Sequence, residues 1–191
     1  MRAGLLLLPV LLGALAGCGT IAETGPPPLD NAVAESTVGN GRFIAIVGPL
    51  RQHSPPFLGV PRTNIDLLRS WVDRRTGEVA NQLYVEASYT GAERTYDAAR
   101  DSAGDPLRFI PISKNEIACS GGCSYAEEFA AALPTSLLRA HRSGLTVTFA
   151  AKSGPPLTIA VAGEMIDKQL AAIDAARATL PTAAAVTKPA P

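Results

Sequence analysis

The sequence predicts a mainly β fold, an antiparallel β-sandwich or a partly open barrel, with one α-helix near the C-terminus. Three observations support this prediction. Apolar and polar residues alternate with a period of two through much of the chain, which is typical of strands with one buried face. Turn sequences rich in Gly and Pro separate these segments at short intervals. Helical spacing of apolar residues replaces the alternation only towards the C-terminus.

The clearest strands are the segments in which apolar residues occupy every second position, at 83–89, 145–149 and 157–161. Weaker candidates are Phe43–Val47, Leu67–Asp73, Arg94–Ala99, Leu107–Ile112 and Ser124–Ala131. Turn sequences lie between several of them, at 74–77, 102–106 and 153–156. Short strands at this spacing favour a sandwich over a fold with long crossover connections.

Two helices are expected in the second half of the chain. Thr135–Ala140 reads as a short helical turn, with Thr135 as its expected cap after Pro134. From Glu164 to Thr179, apolar residues recur at helical spacing, and Pro181 ends the pattern. Because the apolar stripe is narrow, we expect this helix to pack over an edge or a face of the sheet. The alternative is a helix that binds a partner.

The composition limits the classes of function. The 191 residues include 17 Lys and Arg and 17 Asp and Glu, so the formal net charge is zero. A chain without an excess of basic residues lacks the field that holds nucleic acid. Two histidines and three cysteines are too few for most metal clusters, which need about four nitrogen or sulfur ligands. The sequence therefore predicts no nucleic-acid partner, no metal site and no cofactor.

The first eighteen residues have the order of a secretory signal. Arg2 precedes an apolar run, small residues follow the run, and the run is too short to span a membrane. Leu15-Ala16-Gly17-Cys18 resembles a bacterial lipobox. The resemblance implies cleavage before Cys18 and acylation of that cysteine, and Gly19 in place of Asp implies sorting to the periplasmic face of the outer membrane. The alternative is an ordinary secretory signal with a chance cysteine.

These features divide the chain into four parts. Residues 1–17 are a lipoprotein signal peptide, and residues 18–40 are the lipidated cysteine and a Pro-rich tether containing Pro26–Pro28. The β-rich globular domain is expected at 41–180. Residues 181–191 lack the large apolar side chains of a core and are expected to be a disordered tail.

Cys119 and Cys123 are the remaining two cysteines. In an exported chain, two cysteines separated by Ser-Gly-Gly are expected to form a structural disulfide. One alternative is a thiol-redox centre, although those use a Cys-x-x-Cys spacing at the start of a helix. The other is a copper site, since Cys-x3-Cys with a distant histidine resembles the site of copper chaperones of thioredoxin fold. His141 or His53 would then supply the third ligand.

No catalytic motif is present in the sequence. It has neither a Gly-x-Ser-x-Gly elbow nor a glycine-rich phosphate loop. His53 and His141 are each expected in a solvated loop. Glu127 and Glu128 are adjacent, so on a strand they would point to opposite faces and could not act as a pair. The sequence therefore predicts a protein that is not an enzyme.

Arg69, Arg74 and Arg75 form a small basic group around the turn at 74–77, and they are the candidate partner surface. Such a group suits an anionic glycan, a phospholipid head group or a protein; the alternative is a solvated hairpin tip. Trp71 lies among these arginines and is expected to fill the core. Tyr84, Tyr89, Tyr96 and Tyr125 are expected there as well.

The whole layout resembles that of small bacterial envelope lipoproteins, with a lipobox, a Pro-rich tether, one compact domain and one disulfide. That resemblance implies a lipid-anchored, non-catalytic binding or assembly module at the periplasmic face of the outer membrane. The membrane is contacted through the acyl chains on Cys18, and the partner is an envelope protein or a cell-wall component. The alternative is a thiol-redox or copper-handling envelope protein that uses Cys119 and Cys123.

Overall fold

A computed structural model describes residues 31–181. The predicted signal peptide, Cys18, Pro26–Pro28 and the tail beyond residue 181 lie outside the described residues. Within them, no helix combines the length and the apolar character needed to cross a membrane.

The described residues form strands and helices in this chain order: β1 (Ala34–Val38), β2 (Phe43–Val47), β3 (Arg51–Gln52), β4 (Ile65–Asp73), β5 (Val79–Thr90), β6 (Tyr96–Asp101), β7 (Pro106–Leu107), β8 (Phe109–Ala118), β9 (Ser124–Ala132), α1 (Thr135–Ala140), β10 (Gly144–Ala151), β11 (Leu157–Ala162) and α2 (Gly163–Ala178). A short 3-10 turn lies at Phe57–Gly59 between β3 and β4.

The strands form two antiparallel sheets that are not closed into a barrel. The large sheet has the order β1-β2-β4-β5-β9-β8, and β3 pairs with the start of β4. The small sheet has the order β11-β10-β6-β7. This arrangement confirms the predicted class, a mainly β antiparallel sandwich with a C-terminal helix. Among the weaker candidates, Phe43–Val47 coincides with β2, Ser124–Ala131 is one residue shorter than β9, and β4 and β6 cover Leu67–Asp73 and most of Arg94–Ala99. Leu107–Ile112 is not a single strand, because it divides between β7 of the small sheet and β8 of the large sheet.

The main core lies between the two sheets. Alternate residues of β5 face inward and are buried, whereas the residues between them lie on the outer face. Phe129 of β9 and Phe149 of β10 meet across the core, with ring centroids 4.9 Å apart. Burying such rings and the aliphatic residues around them stabilises the sandwich by about 25 cal/mol per Å² of apolar area.

Helix α2 covers the part of the large sheet that the small sheet leaves open. Ile173 and Ala176 of α2 pack with Ile46 of β2 and Val72 of β4 in a second buried cluster. Gly163 begins the helix, and a Cβ built on it would lie 2.5 Å from the backbone oxygen of Arg142. The close approach of two backbones therefore requires glycine there. The expectation that this helix packs on the sheet is confirmed.

Several sequence expectations need correction. Ala34–Val38, placed in the tether, forms β1, and β8 continues to Ala118 where the pattern suggested an end at Ile112. Thr135 is not the cap of α1. Pro134 occupies the cap position, and the Thr135 hydroxyl instead accepts a hydrogen bond of 2.8 Å from the side-chain amide of Asn81.

Different loops and turns lie at the two ends of the large sheet. At what we call the entry end, β4 begins beside β3, and the chain continues from β3 into the loop 53–64; β1 starts nearer the middle of the sheet, where Ala34 pairs with Val47 and Val47 with Arg69. The hairpin tip at 119–123 lies at the same end, since the Gly91 amide donates to the Cys123 carbonyl at 2.9 Å. At the far end are the β4–β5 turn and the last turn of α2. The nine residues of β4 run between the two ends, a length of about 26 Å at about 3.3 Å per residue.

Candidate functional site

The candidate site at the far end is a cleft between the β4–β5 turn and the end of α2. Arg74 and Arg75 of the predicted partner surface line it, and the fold adds Arg177 from α2. The cleft has a volume of about 320 Å³. Gly77 forms part of its wall, where φ is +72° and a built Cβ would lie 4.0 Å from Nε of Arg177. We call this site the arginine cleft.

The charges of the arginine cleft are not neutralised by the rest of the described chain. Among residues 31–181, no carboxylate lies within 4.0 Å of the Arg74, Arg75 or Arg177 side chains. The C-terminal dipole of α2 partly offsets the charge of Arg177. Three guanidinium groups around one concavity can bind a carboxylate or a phosphate through paired N–H donors.

Asp73 holds the turn that displays these arginines. Its Oδ1 accepts the backbone N–H of Arg75 at 2.8 Å, and its Oδ2 accepts Nε and Nη2 of Arg42 at 2.9 and 2.7 Å. The bond from Arg75 and the bonds from Arg42 hold the pKa of the Asp73 carboxyl below its usual value. The carboxylate of the last residue of β4 therefore bonds to the turn and to Arg42, and it does not pair with the Arg74 side chain.

Arg69 does not belong to the arginine cleft. It lies on the outer face of β4, with its guanidinium 5.3 Å from the Trp71 ring centroid and 4.8 Å from that of Tyr84, and its Nε donates to Gln82 at 2.9 Å. Burial lowers the pKa of this guanidinium from its usual value. The prediction that Trp71 and Tyr84 fill the core is wrong, because the alternation of β4 and β5 leaves both half-exposed on the outer face.

A second cavity of about 360 Å³ opens between the two sheets. Tyr96, Phe109 and Phe129 form an aromatic wall, with the Tyr96 and Phe129 ring centroids 4.7 Å apart. Lys114 of β8 forms an ion pair with Glu93, which precedes β6. The volume suits a small molecule.

Glu127 is a buried carboxylate in the wall of this inter-sheet cavity, and it is 4 % exposed. It accepts the Tyr89 hydroxyl and the backbone N–H groups of Thr95 and Tyr96, the latter two at 3.0 and 3.1 Å. Burial and the bond to Glu127 raise the pKa of Tyr89. Glu128 accepts the Tyr84 hydroxyl on the other face, so the expectation that the two glutamates point to opposite faces is confirmed.

Cys119 and Cys123 lie at the tip of the β8–β9 hairpin with their sulfur atoms 2.07 Å apart, which is a disulfide distance. The carboxylate of Glu116 lies within 4.8 Å of both sulfur atoms, and neither histidine belongs to this group. A carboxylate ligand suits a harder cation than Cu(I). The geometry thus gives no third soft ligand to the copper alternative.

The two histidines occupy different environments. His53 was expected in solvent, but its side chain is only 8 % exposed, and its Nδ1 lies 3.5 Å from a carboxylate oxygen of buried Asp66. The expectation for His53 is therefore wrong, because the loop 53–64 folds back over the start of β4. His141 ends α1 and is partly exposed.

Sequence reasoning missed Arg177, Glu93 and Lys114. These residues reach their sites through tertiary packing between distant elements. The local sequence around each residue gives no sign of that packing. Comparison with known proteins adds nothing to this assignment: no protein-family model, curated protein or solved structure is significantly similar to this chain. The function is therefore inferred from the geometry of the chain itself.

Proposed function

We propose that the protein is a lipid-anchored, non-catalytic binding module of the bacterial cell envelope, located at the periplasmic face of the outer membrane. Cys18 bears the acyl chains. The partner is an envelope protein or a cell-wall component, and it presents carboxylate or phosphate groups to the arginine cleft. Arg74, Arg75 and Arg177 are the residues that bind it.

The observation that supports this proposal is the missing countercharge in the arginine cleft. Two other surface arginines have acidic partners, Arg139 with Asp174 and Arg142 with Asp167, whereas the cleft brings three arginines without such a partner together around one concavity. The carboxylate of Asp73, which precedes Arg74 in the chain, forms its ion pair with Arg42 instead. An anionic partner would therefore meet donors that no internal acid occupies.

The position of the cleft agrees with a tethered module. The described chain begins near Asn31, whose side chain accepts a hydrogen bond of 2.7 Å from Lys168 of α2. The tether therefore leaves from the entry end, whereas the arginine cleft lies at the far end. A module anchored in this way presents the cleft away from its membrane, towards the cell wall.

The proposal is tested in two ways: the acylated protein is sedimented with isolated cell-wall sacculi, and it is crosslinked to its neighbours in intact envelopes. We expect the double variant Arg74→Glu/Arg177→Glu to bind about fivefold more weakly, since it removes two exposed ion pairs that contribute about 0.2–1 kcal/mol each. Arg108→Glu is the matched control, because Arg108 is exposed and lies outside the cleft. Binding and crosslinking equal to wild type in the double variant would contradict the proposal.

A further inference from the structure

The loop 53–64 at the entry end presents apolar side chains to solvent. Leu58 is 77 % exposed and Val60 is 53 % exposed, more than the other large apolar residues of the described chain. A single exposed leucine is ordinary. Here the exposed side chains lie on a backbone that hydrogen bonds hold in place. An exposed apolar surface on a fixed loop is typical of a contact with a partner or a membrane.

The loop adopts its conformation against local preference. Leu58, Arg62 and Asn64 all have positive φ values, of 49°, 64° and 55°, which side-chain-bearing residues rarely adopt. Strained backbone of this kind persists only where surrounding contacts fix it, and it clusters at functional sites. The exposed Leu58 contributes no core contact that would explain the strain.

Side chains at the base of the loop hold it in place. The Thr63 hydroxyl accepts the Phe57 N–H at 2.7 Å and donates to the Val60 carbonyl at 2.8 Å. The side-chain amide of Asn64 donates to the Pro55 carbonyl at 2.9 Å and accepts the Ser88 N–H at 2.8 Å. The tip is therefore a preformed apolar projection, and docking it would cost little ordering entropy.

The tip also has few backbone donors that need water. Gly59 and Val60 donate to carbonyls within the loop, and Phe57 donates to Thr63. Three of the seven residues from 55 to 61 are prolines, which have no N–H. Of these seven residues, only Leu58 has an N–H without a partner in the described chain. A segment that enters an apolar medium must have few unpaired N–H groups, because each one raises the free energy of insertion.

We propose that the loop 53–64 rests on the membrane surface beside the acyl anchor, with Leu58 and Val60 inserted among the lipid chains. The loop 53–64 contains the exposed Arg62 and no acidic residue, which favours an anionic lipid surface. The described chain also begins at this end, so a tether from Cys18 brings this loop to the bilayer. The inference rests on the proposed anchor, and it adds an orientation: the entry end faces the lipid and the arginine cleft faces away.

The test uses the acylated protein reconstituted in phosphatidylethanolamine–phosphatidylglycerol vesicles whose acyl chains carry bromine, which quenches nearby tryptophan. Leu58→Trp in a Trp71→Phe background places the only tryptophan at the tip. Val38→Trp in the same background is the matched control, since Val38 is exposed and pairs with Phe43, which lies opposite Asp73 at the far end. We expect the fluorescence of the tip tryptophan to fall at least twofold, and that of the control to stay within a tenth of its value in unbrominated vesicles.

Two results would overturn the inference: equal quenching at both positions, or no quenching at position 58. Crosslinking from position 58 in intact envelopes that captures one protein, together with no quenching in protein-free vesicles, would assign the loop to a protein partner instead. Mass spectrometry of the same sample reports the acyl chains on Cys18. Absent acyl chains would refute the anchor, whereas acylated protein with an unquenched tip would refute only the seating of the loop.

Discussion

Replacing Glu127 by alanine should destabilise the sandwich more than any other single change to an acidic residue of β9. The carboxylate is buried and accepts three hydrogen bonds, from the Tyr89 hydroxyl and from the amides of Thr95 and Tyr96. Truncation leaves these donors without an acceptor. A buried donor left without an acceptor costs about 1–3 kcal/mol, and three such donors at the lower part of this range give an expected loss of about 4 kcal/mol in the free energy of unfolding.

The measurement is urea unfolding followed by Trp71 fluorescence and by far-UV circular dichroism. A loss of about 4 kcal/mol corresponds to a fall in Tm of about 10 °C for a domain of this size. Glu128→Ala is the matched control. It makes the same chemical change on the next residue of the same strand, but Glu128 is only partly buried and accepts one hydrogen bond, so about 1 kcal/mol is expected. If Glu127→Ala cost no more than Glu128→Ala, the three hydrogen bonds that Glu127 accepts would not stabilise the fold as expected.

Three further predictions concern other parts of the chain. Asp73→Asn should lower the free energy of unfolding above about pH 5, because the pKa of Asp73 is lower in the native state than in the unfolded chain. The difference in stability from wild type should shrink below about pH 4, and unfolding midpoints measured across this pH range check it. Cys119→Ser/Cys123→Ser should lower the free energy of unfolding by about 2 kcal/mol, the entropic contribution of closing a five-residue loop. Thiol titration of the unreduced wild type should detect neither cysteine. Stoichiometric Cu(I) binding by the reduced protein would favour the copper alternative. Globomycin should make uncleaved precursor accumulate, and a Cys18→Ser chain that is still processed and membrane-bound would contradict the lipobox.

The sequence located most strands because burial on one face imposes a period of two on their residues. The same reasoning could not find β1, since all five residues of Ala34–Val38 are exposed and nothing selects an alternation among them. It misplaced Trp71 for a related reason. A large aromatic residue satisfies a strand pattern on either face, and only the pairing of β4 shows that Trp71 points outward beside Arg69.

The candidate site was half visible in the sequence. Arg74 and Arg75 are adjacent in a turn that the pattern of Thr76-Gly77 indicates, so their exposure could be anticipated. Arg177 could not be assigned, because its helix reaches the turn only through packing against β2 and β4. Buried polar groups such as His53 were equally hidden, since a Pro-rich polar segment gives no sign that it folds back on the sheet.

The opposed ends of the large sheet have a mechanical consequence. The tether enters β1 at Ala34, and β1 pairs along its whole length with β2, from Ala34 opposite Val47 to Val38 opposite Phe43. A pull between the bilayer and a partner held at the β4–β5 turn would run parallel to the strands. The hydrogen bonds between β1 and β2 would then be loaded together in shear, not opened one at a time as in unzipping. With the proposed anchor and partner, this geometry would make β1 resist such a pull better than it would resist unzipping.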